Sequence, residues 1–395
     1  MNTWTKTTIG NLCDTISDTY RGNDSEVVLI NTSDVLNGKI LNHDFVLNKN
    51  LKGQFKKTFQ KDDILYSEIR PVNKRFAYVD FEETSCYIAS TKLMVLRPRK
   101  NKVEPRFLFH ILTAPNMLAE MQHLAETRSG TFPQITFLSE LAPTSVMLPD
   151  LETQKKIVSV FDVIERKIDL NNAINDNLEQ QAQALFQELF IENADPEWSE
   201  GTISDLGTVV GGSTPSKSKP EYYTEHGIAW ITPKDLSVNK SKFITHGEND
   251  ITELGLKNSS ASIMPEGTVL FSSRAPIGYI TIAAGEVTTN QGFKSVIPRP
   301  AIGTPFVYYF LKNALPTIEG MASGSTFKEV SGSTMKSVPA FIPDDETLAR
   351  FTEFCSPIFE QQQMLERQNQ SLAALRDSLL PKLMSGEIDA SDVSI

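Results

Sequence analysis

Cysteine and histidine are too few and too scattered here to build a site. Cys13, Cys86 and Cys355 are odd in number and far apart, which excludes a disulfide framework and a C-x-x-C metal half-site. No two of His43, His110, His123, His226 and His246 stand four residues apart, so a helical metal pair is absent and no metal site is expected. No apolar run approaches the ~18 residues of a membrane helix. The opening Met1-Asn2-Thr3-Trp4-Thr5-Lys6 has no apolar core of signal-peptide length, so a soluble, cytoplasmic protein without membrane contact is expected. Catalytic signatures are missing as well. There is no glycine-rich cofactor loop paired with an Asn/Asp-Pro-Pro-aromatic motif, no Pro-Asp…Glu-x-Lys nuclease pattern, and no G-x-x-x-x-G-K nucleotide loop. The expectation is a chain that is not an enzyme and carries no cofactor of its own.

What is present is enough for real cores. The chain has 395 residues and is 40% hydrophobic, which suggests two or three domains. Its net charge of -11 is unevenly spread: +2 over residues 1–149, -7 over 150–197, 0 over 198–343 and -6 over 344–395. The acid lies in two short segments, which phosphate would repel. The two large segments are near neutral and leave room for basic patches.

The chain repeats itself once, with a period of about 194. Trp4, Ile9, Leu12, Pro149, Glu152, Ile164, Leu178, Leu185 and Leu189 recur as Trp198, Ile203, Leu206, Pro343, Glu346, Ile358, Leu372, Leu379 and Leu383, and Ser129-Gly130 recurs as Ser323-Gly324. Inside the large segments the offset drifts: Asp63-Ile64-Leu65-Tyr66-Ser67 resembles the segment from Gly267 to Ser272 at a shift of about 205. Each unit is therefore a variable globular part followed by a part of fixed length. The expected division is a head over 1–149, a helical spacer over 150–195, a second head over 196–343 and a second spacer over 344–395.

The fixed-length parts read as coiled-coil helices. Ile157, Phe161, Ile164, Ile168, Asn171, Asn175, Leu178, Ala182, Leu185 and Leu189 follow steps of four and three, a heptad seam over four repeats. Adding 194 gives Phe351, Cys355, Ile358, Gln362, Leu365, Asn369, Leu372, Arg376, Leu379 and Leu383. Asp150 suits an N-cap. Pro357 is expected to delay or kink the second helix, and Pro381 to break it near its end. Each helix buries one stripe and needs a partner, and the two seams are the obvious pair. Antiparallel pairing would hold two heads apart, with Asn175 and Asn369 fixing register at a cost in stability. Ordinary amphipathic helices packed on separate cores are the alternative. From Ile157 to Leu189 the seam spans roughly 50 Å, or about 15 base pairs of duplex.

Each head mixes strands and a helix, so the fold class is α+β: two similar globular domains separated by two long helices in an intramolecular antiparallel coiled coil, a pseudo-twofold repeat. Strands are expected at 64–67, 75–79 and 91–96 with a helix at 106–113, and again at 268–272, 278–283 and 293–297 with a helix at 305–313. Candidate contacts to DNA lie in loops. Gly211-Gly212-Ser213-Thr214-Pro215-Ser216-Lys217 is a small polar loop able to approach phosphate through backbone N–H groups; the candidates there are Ser213, Thr214 and Lys217. Arg274 follows a strand in a segment matching that of Arg70, an arginine at a strand end in both heads and suited to guanine. A structural salt bridge is the plainer reading of each. Asn290, Gln291 and Lys294 open a strand as Thr91 and Lys92 do; Asn and Gln suit adenine edges. Arg128, Thr131 and Gln134 in the first head, and Thr326 and Lys328 in the second, supply hydroxyl, amide and cation before the last strand. Arg21, Lys74 and Lys234 complete the candidates. Tyr20, Tyr222 and Tyr223 are either groove-facing or packed aromatics.

The order head, helix, head, helix resembles the specificity subunit of Type I restriction–modification enzymes. Wording agrees in the segments Trp230–Leu236 (WITPKDL), Val269–Gly278 (VLFSSRAPIG), Thr289–Lys294 (TNQGFK), Leu148–Gln154 (LPDLETQ) and Leu380–Ile388 (LPKLMSGEI). The second head fits better than the first, where Ile30–Leu36 (INTSDVL) is a degenerate counterpart of WITPKDL. The resemblance implies two target-recognition domains that read a bipartite sequence in double-stranded DNA. It further implies partnership with two modification (methyltransferase) subunits and with restriction (translocase and nuclease) subunits, the partners carrying S-adenosylmethionine, ATP and Mg. The rival readings are a coiled-coil protein-interaction scaffold without DNA readout, and an enzyme with an unrecognised site shared between the heads.

Overall fold

The computed structural model describes residues 4–49, 51, 53–127, 133–324 and 328–393. It divides the chain into two compact units, one of 1–167 with 372–395 and one of 168–371. Each unit takes one head and a stretch of both long helices, so the cut falls inside the helical segments rather than at their ends.

The long helices are Leu151–Gln187, extended by a π-helical turn at Glu188–Glu192, and Asp345–Ser385. Both begin on the same device. The Asp150 carboxylate accepts from the Thr153 N–H at 2.9 Å, and Asp344 accepts from the Thr347 N–H at 2.8 Å, the N-cap expected for a negative group at the positive helix end. Two prolines behave differently from expectation. The second helix starts twelve residues before Pro357 and runs through both Pro357 and Pro381. Both prolines are exposed, so water can satisfy the carbonyls that lose a partner and no buried group is orphaned.

Within the first unit Ile157, Phe161 and Leu383 share one core, with Leu379 packed against it, and Ile164 is fully buried. Within the second unit Ala182, Phe186 and Leu189 share a core with Phe351, Cys355 and Ile358, Leu178 and Leu185 pack against it, and Leu365 is buried. The pairing there is antiparallel. Asn171 Nδ2 donates to Asn369 Oδ1 at 2.8 Å, the Asn369 amide donates to Asn172 Oδ1 at 2.8 Å, and Gln362 Nε2 donates to the Asn175 carbonyl. Asn369 therefore pairs with Asn171 and Asn172, not with its repeat equivalent Asn175. Ile168 and Leu372 are half-buried. The largest fully buried side chains of the first helix's second half and its π-helical extension are Phe186 and Phe190, which the heptad frame omits because the stripe there follows steps of four.

The heads share one central frame and differ in their edge strands. In the first, one sheet runs Cys13–Ile16, Leu93–Pro98, Ile64–Ser67, Phe76–Tyr78; the other runs Phe45–Leu47, Glu26–Ile30, Tyr87–Ser90, Phe55–Lys57. In the second, one sheet runs Gly207–Gly211, Lys294–Pro298, Val269–Ser273, Ile277–Ala283, Phe243–Ile244; the other runs Tyr223–Thr224, Asn249–Ile251, Ile228–Ile231, Thr288–Thr289. Each second sheet contains one parallel pair, Glu26–Ile30 with Tyr87–Ser90 and Ile228–Ile231 with Thr288–Thr289. Terminal strands close each head: Thr5–Thr8 on Ser145–Leu148, and Ser199–Thr202 on Pro339–Ile342. A head helix, Pro105–Thr113 or Thr304–Met321, packs its apolar face on the larger core.

One buried polar cluster joins head and helices in the second unit. The Lys242 ammonium donates to Glu179 at 2.8 Å, Gln362 at 2.9 Å and the Tyr309 hydroxyl at 3.1 Å, while Lys312 donates to Glu179 at 2.6 Å. Despite burial, the two ammonium groups hold the Glu179 carboxyl down at about 2. A carboxyl depressed on folding stabilises fully above its ordinary value near 4.5 and loses that contribution as pH falls through about 2. Urea unfolding followed between pH 5 and pH 2 should show the second unit losing stability, with a smaller slope in Glu179→Gln.

Candidate nucleic-acid interface

Loops and strand ends build the candidate surface of the second head. The strand Ile228–Ile231 delivers Trp230, and the turn after it is a capping box. Thr232 and Asp235 bond reciprocally there, with the Thr232 N–H and hydroxyl donating to Asp235 at 2.7 and 2.6 Å. This fixes Lys234 on the first turn of the short helix Pro233–Val238. The Asp235 carboxylate also accepts from the Glu248 N–H at 2.8 Å, tying a second loop to the first.

Opposite, Asn290 Oδ1 accepts from the Gly292 N–H at 2.8 Å, a side-chain turn that leaves its amide N–H groups for a ligand. The first head repeats the turn: Ser90 Oγ accepts from the Lys92 N–H at 3.3 Å. Gln291 is held by the Thr214 hydroxyl. Arg274 leaves Ser273, whose backbone is clamped by the Gly292 carbonyl at 2.7 Å and the Val330 N–H at 3.0 Å. Among the described residues its guanidinium makes a long contact to Glu329, at 3.4 Å.

Thr214, Lys217, Lys234, Arg274, Asn290 and Gln291 thus line one cleft of about 490 Å³. All six are sequence candidates, drawn from four separate segments. Trp230, Glu248 and Asn249 line it too and were not candidates. Trp230 forms a wall whose indole N–H donates to the Ser213 carbonyl at 3.0 Å, and Glu248 pairs with Lys234. The donor set, with guanidinium, ammonium and amide groups beside an indole, can bond base edges and phosphate oxygens.

Three candidates serve the protein instead. The N–H groups of Gly212 and Ser213 donate inward to Phe293 and Thr289 carbonyls at 3.5 and 2.8 Å, so they do not present a phosphate nest. A Cβ at Gly212 would meet the Asn290 carbonyl oxygen at 1.9 Å; the glycine is there for close packing. Lys294 is only 15% exposed, lies 3.5 Å from the Ser273 hydroxyl and 3.8 Å from Glu329, and burial lowers its pKa. It braces the site from beneath. Tyr223 is a packed aromatic, its hydroxyl donating to the Pro215 carbonyl. Lys328 is exposed beside Glu329.

The first head has the same frame with less drawn together. Arg70 and Lys74, both exposed, flank the turn Pro71–Asn73. The Arg70 N–H donates to the Pro133 carbonyl at 3.2 Å, and Ile69 bridges Gln134, so Arg70 and Gln134 are neighbours. Lys92 lies 3.9 Å from Glu68, Thr91 donates its N–H to the Gln54 carbonyl, and Arg21 sits exposed on a separate loop. The arginines of the two heads are not equivalent: Ile135 bonds Glu68 as Val330 bonds Ser273, which puts Arg274 opposite Ile69 and Arg70 opposite Ala275. Arg70 and Ala275 share a positive φ, 46° and 53°. Arg128, Thr131 and Thr326 lie outside the described residues.

Two copies of one α+β domain, each ending its strands in polar loops and each followed by a capped long helix, define a modular DNA-reading protein. The family of the Type I restriction modification DNA specificity domain matches residues 1–180 and again 196–376, so the chain belongs to that family, whose part is recognition rather than catalysis. It is 32% identical to the Type I restriction enzyme HindI specificity subunit of Haemophilus influenzae, over 98% of the chain and all of that protein. It is 39% identical to the MjaIX specificity subunit of Methanocaldococcus jannaschii, over 47% of the chain and 44% of that protein. The fold is shared with the S subunit of a Type I restriction–modification system from M. genitalium, at a TM-score of 0.56 and 16% identity, covering 97% of this chain and 96% of that one.

Proposed function

We propose that the chain reads a bipartite sequence in double-stranded DNA, one half per head. It directs adenine methylation or cleavage by partner subunits in the cytoplasm. The observation that carries the reading is the cleft of the second head, where six polar side chains from four segments converge on one frame that the first head repeats. Two modification subunits supply the methyl transfer and its S-adenosylmethionine. Restriction subunits supply ATP- and Mg-dependent translocation and cleavage. The fixed-length helices offer the modification subunits a surface, which fits their acidity.

Exchange of residues 1–149 for the head of another specificity chain tests this. In the assembled methyltransferase, one block of the methylated motif should change while the other block and the gap stay. A change in both blocks, or in neither, contradicts separate reading by the two heads. A properly assembled complex with no affinity for DNA would favour the scaffold.

A further inference from the structure

The two units are internal copies, so each is a control for the other, and one of the buried places where they differ joins a head to its helices. Lys242 opens the strand Phe243–Ile244 and is bonded through its carbonyl to the Ile282 N–H at 2.8 Å; the same backbone bond in the first head joins Gly38 to the Tyr78 N–H at 3.0 Å. A Cβ added to Gly38 would meet the Phe109 ring at 3.2 Å, as the Lys242 ammonium lies 4.7 Å from the centroid of the Tyr308 ring. Gly38 is thus the counterpart of Lys242; the helix N-caps Glu104 and Gly303 set Phe109 against Tyr308 and His110 against Tyr309, and the repeat offset sets Ala373 against Glu179.

In the second unit the Lys242 side chain is 7% exposed. It crosses from the head onto both long helices, reaching Glu179 on one and Gln362 on the other, with its charge over the Phe359 ring at 3.6 Å. Its backbone joins in: the Lys242 and Phe243 N–H groups donate to the Glu366 carboxylate at 2.8 and 3.1 Å. Tyr309 donates to Glu179 at 2.8 Å from the head helix. Burial lowers Lys242 to about 8, so the pair is ionised at neutral pH. In the first unit the counterparts can form none of this. A cleft of about 680 Å³ lies there instead, lined among others by Asn37, Phe109, His110 and Arg376.

We propose that Lys242 and Glu179 are positioning residues that pin the second head at one station on its helix pair, and that this pin fixes the gap between the two half-sites. A buried ion pair is directional: one geometry satisfies both charges, and a small slide of the head on its helices leaves a charge unpaired in an apolar setting. Apolar packing alone tolerates such slides far better, since its attraction is nearly non-directional. The inference rests on the two-headed reading above.

The test is methylation mapping in cells carrying the assembled methyltransferase with the full-length chain. Lys242→Met with Glu179→Gln removes both charges together, so neither is left buried alone. This variant should methylate the same two blocks but accept a gap one base pair longer or shorter, at a tenth or more of the level at the original gap. Ile318→Val, a packing defect in the same head away from the pin, should keep a single gap. Retention of a single gap by the double variant, or equal broadening in Ile318→Val, overturns the proposal. A wild-type complex that methylates no bipartite motif removes the underlying reading instead, an outcome seen before any variant is made.

Discussion

Arg274→Ala should lower methylation at cognate sites by roughly tenfold to a hundredfold, and the loss should fall on one position of one block. A bidentate arginine contact to guanine carries about 1–3 kcal/mol of discrimination. Arg274 is placed to make one: it follows Ser273, whose backbone is clamped on both sides, its side chain is 37% exposed, and among the described residues it makes a long, partly solvated pair with Glu329. Such a pair holds a guanidinium weakly and yields to a base. Methylation kinetics on duplexes varied one base at a time would show relaxed preference at a single position. Loss spread evenly over all sequences would make Arg274 a phosphate contact. Lys294→Ala should leave base preference alone and lower the stability of the head, because that ammonium points inward.

Phe186→Ala should destabilise the second unit by about 3–5 kcal/mol, the range for deleting a buried aromatic ring. Phe186 is fully buried on the first long helix, with ring contacts to Phe190 at 5.2 Å and to Phe306, Tyr309 and Phe351 at 5.9 Å. Phe306 and Tyr309 come from the head helix and Phe351 from the second long helix, so one ring holds three elements. Against a typical total of 5–15 kcal/mol, this is a large share. Denaturant unfolding with a probe in the second unit reads it directly; a loss under about 1 kcal/mol would mean the three elements are held elsewhere.

The repeat made the long-range organisation legible in the sequence. A constant offset of 194 across Asp150 and Asp344, and across the seam positions, preserved the caps and inward faces that the structure shows. The central strands were legible because they are continuous apolar runs, as at Ile64–Ser67, where the boundary agrees to the residue. The second sheet of each head was not, because strands of two to five residues such as Thr288–Thr289 are too short to show alternation. Proline misled: Pro357 and Pro381 read as breakers, yet both face water on a helix held by its partner. In the candidate site, polar residues in glycine-bearing loops were found, while Trp230 was passed over as a contact because an apolar ring reads as core. Lys242 was missed for a related reason. Nothing local marks a lysine as buried when its partners Glu179 and Gln362 lie more than sixty residues away in sequence.

The most direct measurement is genome-wide adenine methylation in cells that carry this chain with its modification subunit, set against cells that lack it. Two short specific blocks separated by one fixed unread gap are the expected result. A complex shown to be assembled that adds no methylation, or marks a single uninterrupted motif, would contradict the two-headed reader.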